Sequence, residues 1–294
     1  MTVSQGEFAK YFRVTDGSRF RLKDFASSET LGLDSKLRAQ EALDRGIARL
    51  NDLHEKLLAQ DQWALLLIFQ GMDGAGKDST IKHVMSGVNP EGCHVYHFGV
   101  PSEEELNHDF LWRVCQRLPA RGNIAIFSRS YYEEVLVVRV HPNLLKKEKL
   151  NPSLITPKIW EERFEDLSAF ERYLGRNGIV VRKFFLNLSK EEQKRRFLAR
   201  LDEPEKHWKF SMDDVNDREC WADYMRAYEE IIQKTSTPHA PWYVVPADHK
   251  WFARLVVAEA IVNTLEELNL SFPKLDAKKR EEFKGARALL DREK

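Results

Sequence analysis

Cysteine is scarce in this chain. There are three in 294 residues, Cys93, Cys115 and Cys220. An odd, widely spaced set excludes a disulfide framework and a cysteine-bound zinc site, and it makes a reduced, cytoplasmic compartment the expected one. Net charge is also missing, with 46 basic residues against 46 acidic. Taken at face value that balance argues against a polyanionic partner, but a total averages over the whole surface and hides local excess. The longest apolar run, residues 63–69 (WALLLIF), falls far short of the ~20 residues a membrane-crossing helix needs, so no membrane is expected as a partner. The opening MTVSQGEFAKYF lacks the basic stretch and apolar core of a signal peptide. There is no internal repeat and no low-complexity linker. The histidines form no H-E-x-x-H pair, which removes the metalloprotease type of zinc site. No serine lies in G-x-S-x-G, which argues against acyl-transfer hydrolysis. Aromatics are plentiful: 17 Phe, 8 Tyr and 7 Trp supply a core and exclude a disordered chain.

Residues 1–35 carry little periodicity, and Arg19, Arg21 and Lys23 alternating with Phe20, Leu22 and Asp24 suggest a short strand or an extended arm. Leu43, Ile47, Leu50 and Leu57 then recur at helical spacing to about residue 58, an amphipathic helix that packs on a sheet or a partner subunit. Short apolar runs at 64–69 (ALLLIF), 94–98, 123–127, 179–188 and 242–245 read as strands buried on both faces. Between them lie helical stretches at 103–118, opened by Ser102-x-x-Glu105; at 158–176, with Thr156 and Pro157 as N-cap and first residue; and at 191–201, opened by Ser189-x-x-Glu192. Further helical pattern covers about 216–235 and 250–268. Alternation of this kind predicts an α/β fold with a mostly parallel five-stranded sheet and helices on both faces. The expected organisation is an arm and amphipathic helix over 1–60, one domain over 61–270, and a charged tail over 271–294, solvated or frayed.

The strongest motif is Gly71-Met72-Asp73-Gly74-Ala75-Gly76-Lys77-Asp78, a G-x-x-x-x-G-K pattern directly after ALLLIF and before a helix start. Glycines let backbone N–H groups converge on phosphate oxygens, the helix N-terminus adds positive potential, and the lysine reaches a terminal phosphate. Gly74, Ala75, Gly76, Lys77, Asp78 and Ser79 are therefore candidate phosphate contacts. Asp78 stands where a Ser or Thr usually follows the lysine, with Ser79 and Thr80 after it, and Asp73 adds a second acid. Two carboxylates in a phosphate cradle repel the ligand unless a cation lies between them, which argues for Mg²⁺ bridging Asp73 and the phosphates.

A second strand, 124–127, ends in Ser128 rather than an acid and continues Arg129-Ser130-Tyr131-Tyr132-Glu133-Glu134, with Arg139 in the apolar stretch that follows. An arginine at the carboxyl end of a parallel strand sits where ligands bind. Arg129 is a candidate phosphate clamp; the alternative is a salt bridge to Glu133 or Glu134. Residues 113–149 hold Arg113, Arg117, Arg121, Arg129, Arg139, Lys146, Lys147 and Lys149 against Glu133, Glu134 and Glu148, a local excess of five that suits a polyanion. A second basic cluster is Lys194, Arg195, Arg196, Arg200, Lys206 and Lys209. Within it RLDEPEKHWK (200–209) breaks the helix pattern and suits a lid over phosphates, or else a surface loop around one buried Trp.

Together these segments resemble the type 2 polyphosphate kinases over about residues 11–273. The resemblance rests on QGMDGAGKDSTIKHVMSGVNPEG (70–92), FGVPSEEELNHDFLWRVCQRLP (98–119), IFSRSYYEEVLVVRV (126–140), RLDEPEKHWKFSMDDVNDRECWADY (200–224) and TSTPHAPWYVVPADHKWFARL (235–255). It implies a P-loop kinase fold with a helical lid at about 200–220. The implied reaction transfers a phosphoryl group between inorganic polyphosphate and AMP or ADP, with GMP and GDP as further acceptors. Mg²⁺ is the implied cation, with Mn²⁺ as substitute, and no nucleic acid takes part. By motif, Asp73 looks like the loop aspartate that meets metal and acceptor phosphate, and Lys77 like the lysine on the transferring phosphate. Arg129 and Arg139 look like phosphate-contacting arginines, and Arg200, Lys206 and Lys209 fall in the lid motif. Most of the family has Asp where this chain has Ser128. Tyr132-Glu133-Glu134 resembles the Y-E-D of the third class, which phosphorylates both AMP and ADP, with Glu134 in place of its Asp. Glu133 and Glu134 are thereby nucleotide-side candidates, and Glu134 a metal candidate beside Asp73. The amphipathic 36–58 helix and the resemblance imply a homo-oligomer, a tetramer. The rival readings are an ATP-dependent nucleotide or small-molecule kinase on the same fold, and a non-enzymatic phosphate sensor using the loop as a switch.

Overall fold

The computed structural model describes residues 7–293; residues 1–6 and Lys294 lie outside it, and with them the start of the MTVSQGEFAKYF segment and the last residue of the tail. The described residues begin with helix α1 (Phe8–Tyr11) and strand β1 (Arg13–Val14), followed by α2 (Lys36–Gln60) and β2 (Ala64–Gln70). Next come α3 (Lys77–Val84), β3 (Cys93–His97), α4 (Trp112–Cys115), β4 (Ile124–Ser128), α5 (Val137–Val140) and α6 (Ile159–Arg176). Then follow β5 (Ile179–Asn187), α7 (Lys190–Asp202), α8 (Met212–Asn216), α9 (Trp221–Thr235), β6 (Trp242–Pro246), α10 (Lys250–Glu267) and α11 (Ala277–Leu290).

The sheet runs β1-β6-β5-β2-β4-β3. Five strands are parallel, and the sixth, β1, adds two antiparallel residues against β6, Arg13 opposite Tyr243 and Val14 opposite Trp242. The expected five-stranded parallel sheet is thus present with one short addition. Alternation along each strand divides the core. Leu65, Leu67, Phe69, Ile124, Ile126, Phe184 and Leu186 face α2, α3 and α10. Leu66, Ile68, Ala125, Phe127, Val181 and Phe185 face α6, α9 and the turn after β4. Every residue of β2 is buried, which is why its sequence is apolar throughout up to Gln70, whose amide is hydrogen-bonded. Each fully buried Leu or Ile contributes roughly 1.5–3 kcal/mol.

Of the two forms expected of the arm, the strand is the one that is not found. Arg19 to Lys23 make no strand; Leu22–Asp24 is a 3₁₀ turn. Side chains of α9 satisfy its backbone, with Glu229 accepting from Leu22 N–H at 2.8 Å and Gln233 donating to the Phe20 carbonyl at 2.9 Å, so no sheet partner is needed. The expected helix over 103–118 is also broken. Its capping box forms, with Ser102 N–H to Glu105 at 2.8 Å and Glu105 N–H to Ser102 Oγ at 3.2 Å. It opens only the 3₁₀ turn Glu105–Asn107, because Asp109 accepts from Leu111 N–H at 2.9 Å and starts a new turn before α4. Thr156 caps Lys158 N–H at 3.1 Å just before α6, which begins at Ile159, two residues later than the Thr156–Pro157 signal suggested. Ser189 caps α7 as expected, accepting from Glu192 N–H at 3.1 Å.

Candidate active site

β2 lies between β4 and β5; the chain runs from β2 to the β4–β3 side and then crosses from β4 to β5 on the other side, so the loop after β2 opens at the switch point of the sheet, where open α/β sheets bind ligands. The loop spans the end of β2 and the start of α3. Gly71 has φ +152°, and a Cβ there would lie 3.0 Å from the Leu186 carbonyl oxygen of β5. Gly74 has φ +84°, and a Cβ would lie 3.0 Å from the ring of Phe197 on α7. Both positions need glycine, for conformation and for space. Lys77 Nζ donates to the Gly71 carbonyl at 2.6 Å and lies 3.8 Å from Asp73 Oδ1. Arg129 Nη2 donates to the same Oδ1 at 2.8 Å. The salt-bridge alternative for Arg129 is therefore replaced by a pairing with the loop acid rather than with Glu133 or Glu134.

These charges shift one another. Burial works to raise the Asp73 carboxyl, but Lys77 and Arg129 outweigh it and hold the group below its ordinary value. Burial lowers the Lys77 ammonium, partly offset by Asp73. Burial also opposes the Arg129 charge, and Asp73 and Glu133 more than restore it. Glu133 is raised by burial, with Arg129 and Gln70 pulling the other way. Its Oε1 accepts from Gln70 Nε2 at 2.8 Å, so the last residue of β2 positions an acid of the turn after β4. Arg129 itself has φ +62°, a left-handed backbone that costs a non-glycine residue roughly 1–3 kcal/mol and turns its side chain onto the loop.

At the start of α3, Asp78 Oδ1 accepts from Ser128 Oγ at 2.9 Å, and Ser79 Oγ accepts from Arg254 of α10 at 3.0 Å. From the loop a cleft of about 390 Å³ runs past Asp73, Arg129 and Glu133 to an apolar wall that includes Phe98, Phe110, Leu136 and Leu144. Arg113 braces that wall. Its guanidinium donates twice to the Gly99 carbonyl, at 3.1 Å each, and lies over the Phe98 ring at 5.2 Å.

Other expected residues stand elsewhere. Arg139 pairs with Glu230 of α9 at 2.6 Å and lies near the rings of Trp160 and Phe164; it does not line the cleft. Glu134 borders the cleft, but its Oε2 accepts from Arg163 at 3.4 Å, and Arg163 also binds Glu148. Burial and the neighbouring Glu148 charge push the Glu134 carboxyl up to about 7, against the pull of Arg163. The metal role expected of Glu134 thus meets a carboxylate committed to Arg163. In the 200–220 segment, Arg200 donates to Asp214 at 3.0 Å and to the Lys209 carbonyl at 3.2 Å. Lys206 pairs with Glu203, and Lys209 lies over Trp208. Trp208 is 79% exposed, so the loop is not built around a buried tryptophan.

The family model for Polyphosphate kinase 2 (PPK2) matches residues 33–273. The chain belongs to the polyphosphate kinase 2 family. It is 48% identical over 275 residues to an ADP-polyphosphate phosphotransferase of Rhodopseudomonas palustris, covering 93% of this chain and 95% of that one. It is 44% identical over 265 residues to an AMP/ADP-polyphosphate phosphotransferase of Meiothermus ruber, covering 90% and 95%. The crystal structure of Polyphosphate Kinase 2 from Arthrobacter aurescens TC1 superposes with a TM-score of 0.87 at 39% identity, covering 98% of each chain. The fold is therefore the P-loop kinase-like α/β fold that the resemblance implied, and the protein is an enzyme that transfers phosphate. Among the described residues no helix is long and apolar enough to cross a membrane.

Gln70 and Gln193 carry no mark in the sequence, and Arg196 stands there only as one member of the second basic cluster. Gln193 and Arg196 lie on α7 inside a run of charges. Only burial distinguishes them: Gln193 is wholly buried and Arg196 nearly so, and both donate to carbonyls of the phosphate loop. The available signal was spacing, since Gln193, Arg196, Phe197 and Arg200 share one helical face.

Proposed function

We propose that this enzyme transfers the terminal phosphoryl group of inorganic polyphosphate to AMP and/or ADP, reversibly, with guanine nucleotides as further acceptors. The observation that carries this reading is the joining of two features in one cleft. One end holds the phosphate loop with Lys77, Asp73 and Arg129, and the other is a large apolar and aromatic wall suited to a nucleoside. The named activities of the Rhodopseudomonas palustris and Meiothermus ruber relatives support the donor. The basic side chains of the 200–220 segment, Arg200, Lys206 and Lys209, would serve the polyphosphate chain as a lid.

In-line phosphoryl transfer depends on positioning and charge neutralisation rather than covalent catalysis. Lys77 is held by the Gly71 carbonyl and Asp73, partners that a phosphate oxygen would displace, and its ammonium would then neutralise the transferring group. Arg129 would clamp phosphate while keeping Asp73 ionised. Gly74, Ala75, Gly76, Asp78 and Ser79 would present the loop backbone and the α3 N-terminus to the donor or acceptor phosphates. Glu133, locked by Gln70, would border the acceptor. The lid would exclude water, which otherwise diverts the donor to hydrolysis.

The residues fit Mg²⁺. Asp73 offers a hard carboxylate whose Oδ1 serves Arg129 and Lys77, so its second oxygen would take the ion. Mg²⁺ is commonly held by one or two carboxylates plus substrate phosphates; Mn²⁺ fits the same donors. When bound, the ion would offset the charge of the phosphates. A tetrameric assembly and a cytoplasmic setting complete the proposal.

The decisive experiment incubates the protein with Mg²⁺, long-chain polyphosphate and AMP, ADP, GMP or GDP, without ATP, and follows products by ³¹P NMR. Formation of the di- or triphosphate is expected. No product with polyphosphate, but turnover when ATP is the donor, would replace this reading with an ATP-dependent kinase.

A further inference from the structure

Carbonyls of the phosphate loop that are turned from solvent need hydrogen-bond partners. α7 supplies them. Gln193 Nε2 donates to the Asp73 carbonyl at 2.7 Å. Arg196 Nη1 donates to the Gly74 and Ala75 carbonyls at 2.9 and 3.0 Å, and its Nη2 reaches the Ala247 carbonyl at 2.6 Å. Phe197 closes on Gly74. The same helical face continues to Arg200, which holds the 200–220 segment through Asp214 and the Lys209 carbonyl.

Gln193 has a second bond. Its Oε1 accepts from Arg218 Nη1 at 2.6 Å, and the same nitrogen donates to the Lys190 carbonyl at 3.1 Å. Arg218 lies between α8 and α9, on the return stem of the lid. Both stems of the lid therefore meet at one fully buried amide. That amide has one polar atom on the lid stem and the other on the backbone of Asp73, whose carboxylate binds Arg129.

We propose that Arg218 and Gln193 form a clasp that transmits lid position to the phosphate loop, so that Asp73 and its neighbours take their catalytic geometry only when the lid's return stem is seated. Neither residue touches the reacting groups; they are positioning residues. A primary amide suits the task. It donates on one side and accepts on the other, and a carboxylate or an apolar side chain in its place breaks at least one of the two bonds. This inference rests on the reading of residues 200–220 as a lid over phosphates.

The test uses the full chain with Gln193→Leu, Gln193→Glu, Arg218→Met and the double variant Gln193→Leu/Arg218→Met. Gln193→Glu keeps the partner of Arg218 and removes the donor to Asp73, so it guards against simple misfolding. In steady-state assays with polyphosphate and ADP, each single variant is expected to lower kcat about ten- to a hundredfold. KM for the nucleotide should stay within about twofold, and the double variant should be no worse than Gln193→Leu. Hydrogen exchange supplies a readout independent of turnover. Arg218→Met, though it contacts no loop atom, should speed exchange at residues 71–77 while the amides of β5 keep their protection. Additive losses in kcat, a kcat equal to wild type, or unchanged exchange at 71–77 in Arg218→Met would each overturn the clasp. If wild type fails to use polyphosphate, the functional reading falls, and exchange still decides the clasp.

Discussion

Lys77 is a cation buried against Asp73 and the Gly71 carbonyl, and its value lies in what it can trade those partners for. Lys77→Ala is expected to lower kcat by on the order of a hundredfold or more, as removal of a preorganised charge from a transition-state site does, with the thermal midpoint close to wild type; near-normal turnover would sink its assignment. Glu134 invites a sharper test. Its carboxyl sits at about 7 against an ordinary 4.5. Between those values the folded protein keeps a proton that the unfolded chain releases, so stability falls as pH rises through that window. Glu134→Gln should therefore be more stable than wild type at pH 8 and about equal to it at pH 5, because Arg163 keeps Glu148 as a partner. Thermal melts at the two pH values check the sign. A loss of activity with Mg²⁺, restored by no other change in conditions, would return Glu134 to the metal role that its contacts with Arg163 argue against. Asp73 behaves oppositely. Its carboxyl is depressed, so its contribution is present above the ordinary 3.8 and lost as pH falls below that value.

At the scale of elements, the turn that carries Glu133 is held by a charge buried in the sheet. Lys183 of β5 donates to Glu171 of α6 at 2.6 Å, to Tyr132 Oη at 3.0 Å and to the Thr235 carbonyl at 2.8 Å. Tyr131 and Tyr132 both donate to Glu171, at 2.9 and 2.7 Å. Removing one member of such a pair leaves an uncompensated buried charge. Lys183→Met is thus expected to cost about 3–5 kcal/mol in urea unfolding; a loss under about 1 kcal/mol would show that the network adds little. The same scale explains where sequence reading succeeded. The inner strands β2, β4, β5 and β6 and the helices α2 and α7 were legible because burial on two faces and helical amphipathicity are local patterns; β3, expected to be buried on both faces, is an edge strand with no buried residue, because only β4 covers it within the sheet. The segment 103–118 was not, because its break depends on Asp109 turning back on Leu111 and on Arg113 reaching Gly99, contacts that helical periodicity does not encode.

For the whole molecule, 46 basic and 46 acidic residues cancel only in the sum. Many of the cations are already paired: Arg139 with Glu230, Arg163 with Glu134 and Glu148, Arg200 with Asp214. For residues 113–149 these pairs balance, because Glu230 offsets Arg139 while Arg163 offsets Glu134 and Glu148, so the local excess of basic charge stands. Salt should therefore weaken polyphosphate more than nucleotide: raising ionic strength from about 50 to about 300 mM should increase KM for long-chain polyphosphate by a larger factor than KM for ADP. Equal changes would mean that a few desolvated contacts, not a basic field, hold the donor. The tail is the other whole-molecule feature. α11 forms, capped by Asp276, but none of its residues is buried. Deleting residues 274–294 should leave the free energy of unfolding in urea unchanged within about 0.5 kcal/mol, with sedimentation velocity reporting any change of assembly.

Sequence by itself determined the features set by near neighbours: the strand–loop–helix that makes a phosphate cradle, the glycines whose backbone allows it, the capping serines, and the alternation that builds a parallel sheet. Tertiary structure decided the partners. Arg129 and Asp73 stand 56 residues apart, Gln193 and Asp73 are 120 apart, and Arg139 was drawn to Glu230 rather than to the cleft. Charge and spacing name a residue that can hold phosphate; whether it does depends on which opposite charge the fold buries beside it, and that is a contact between distant parts of the chain.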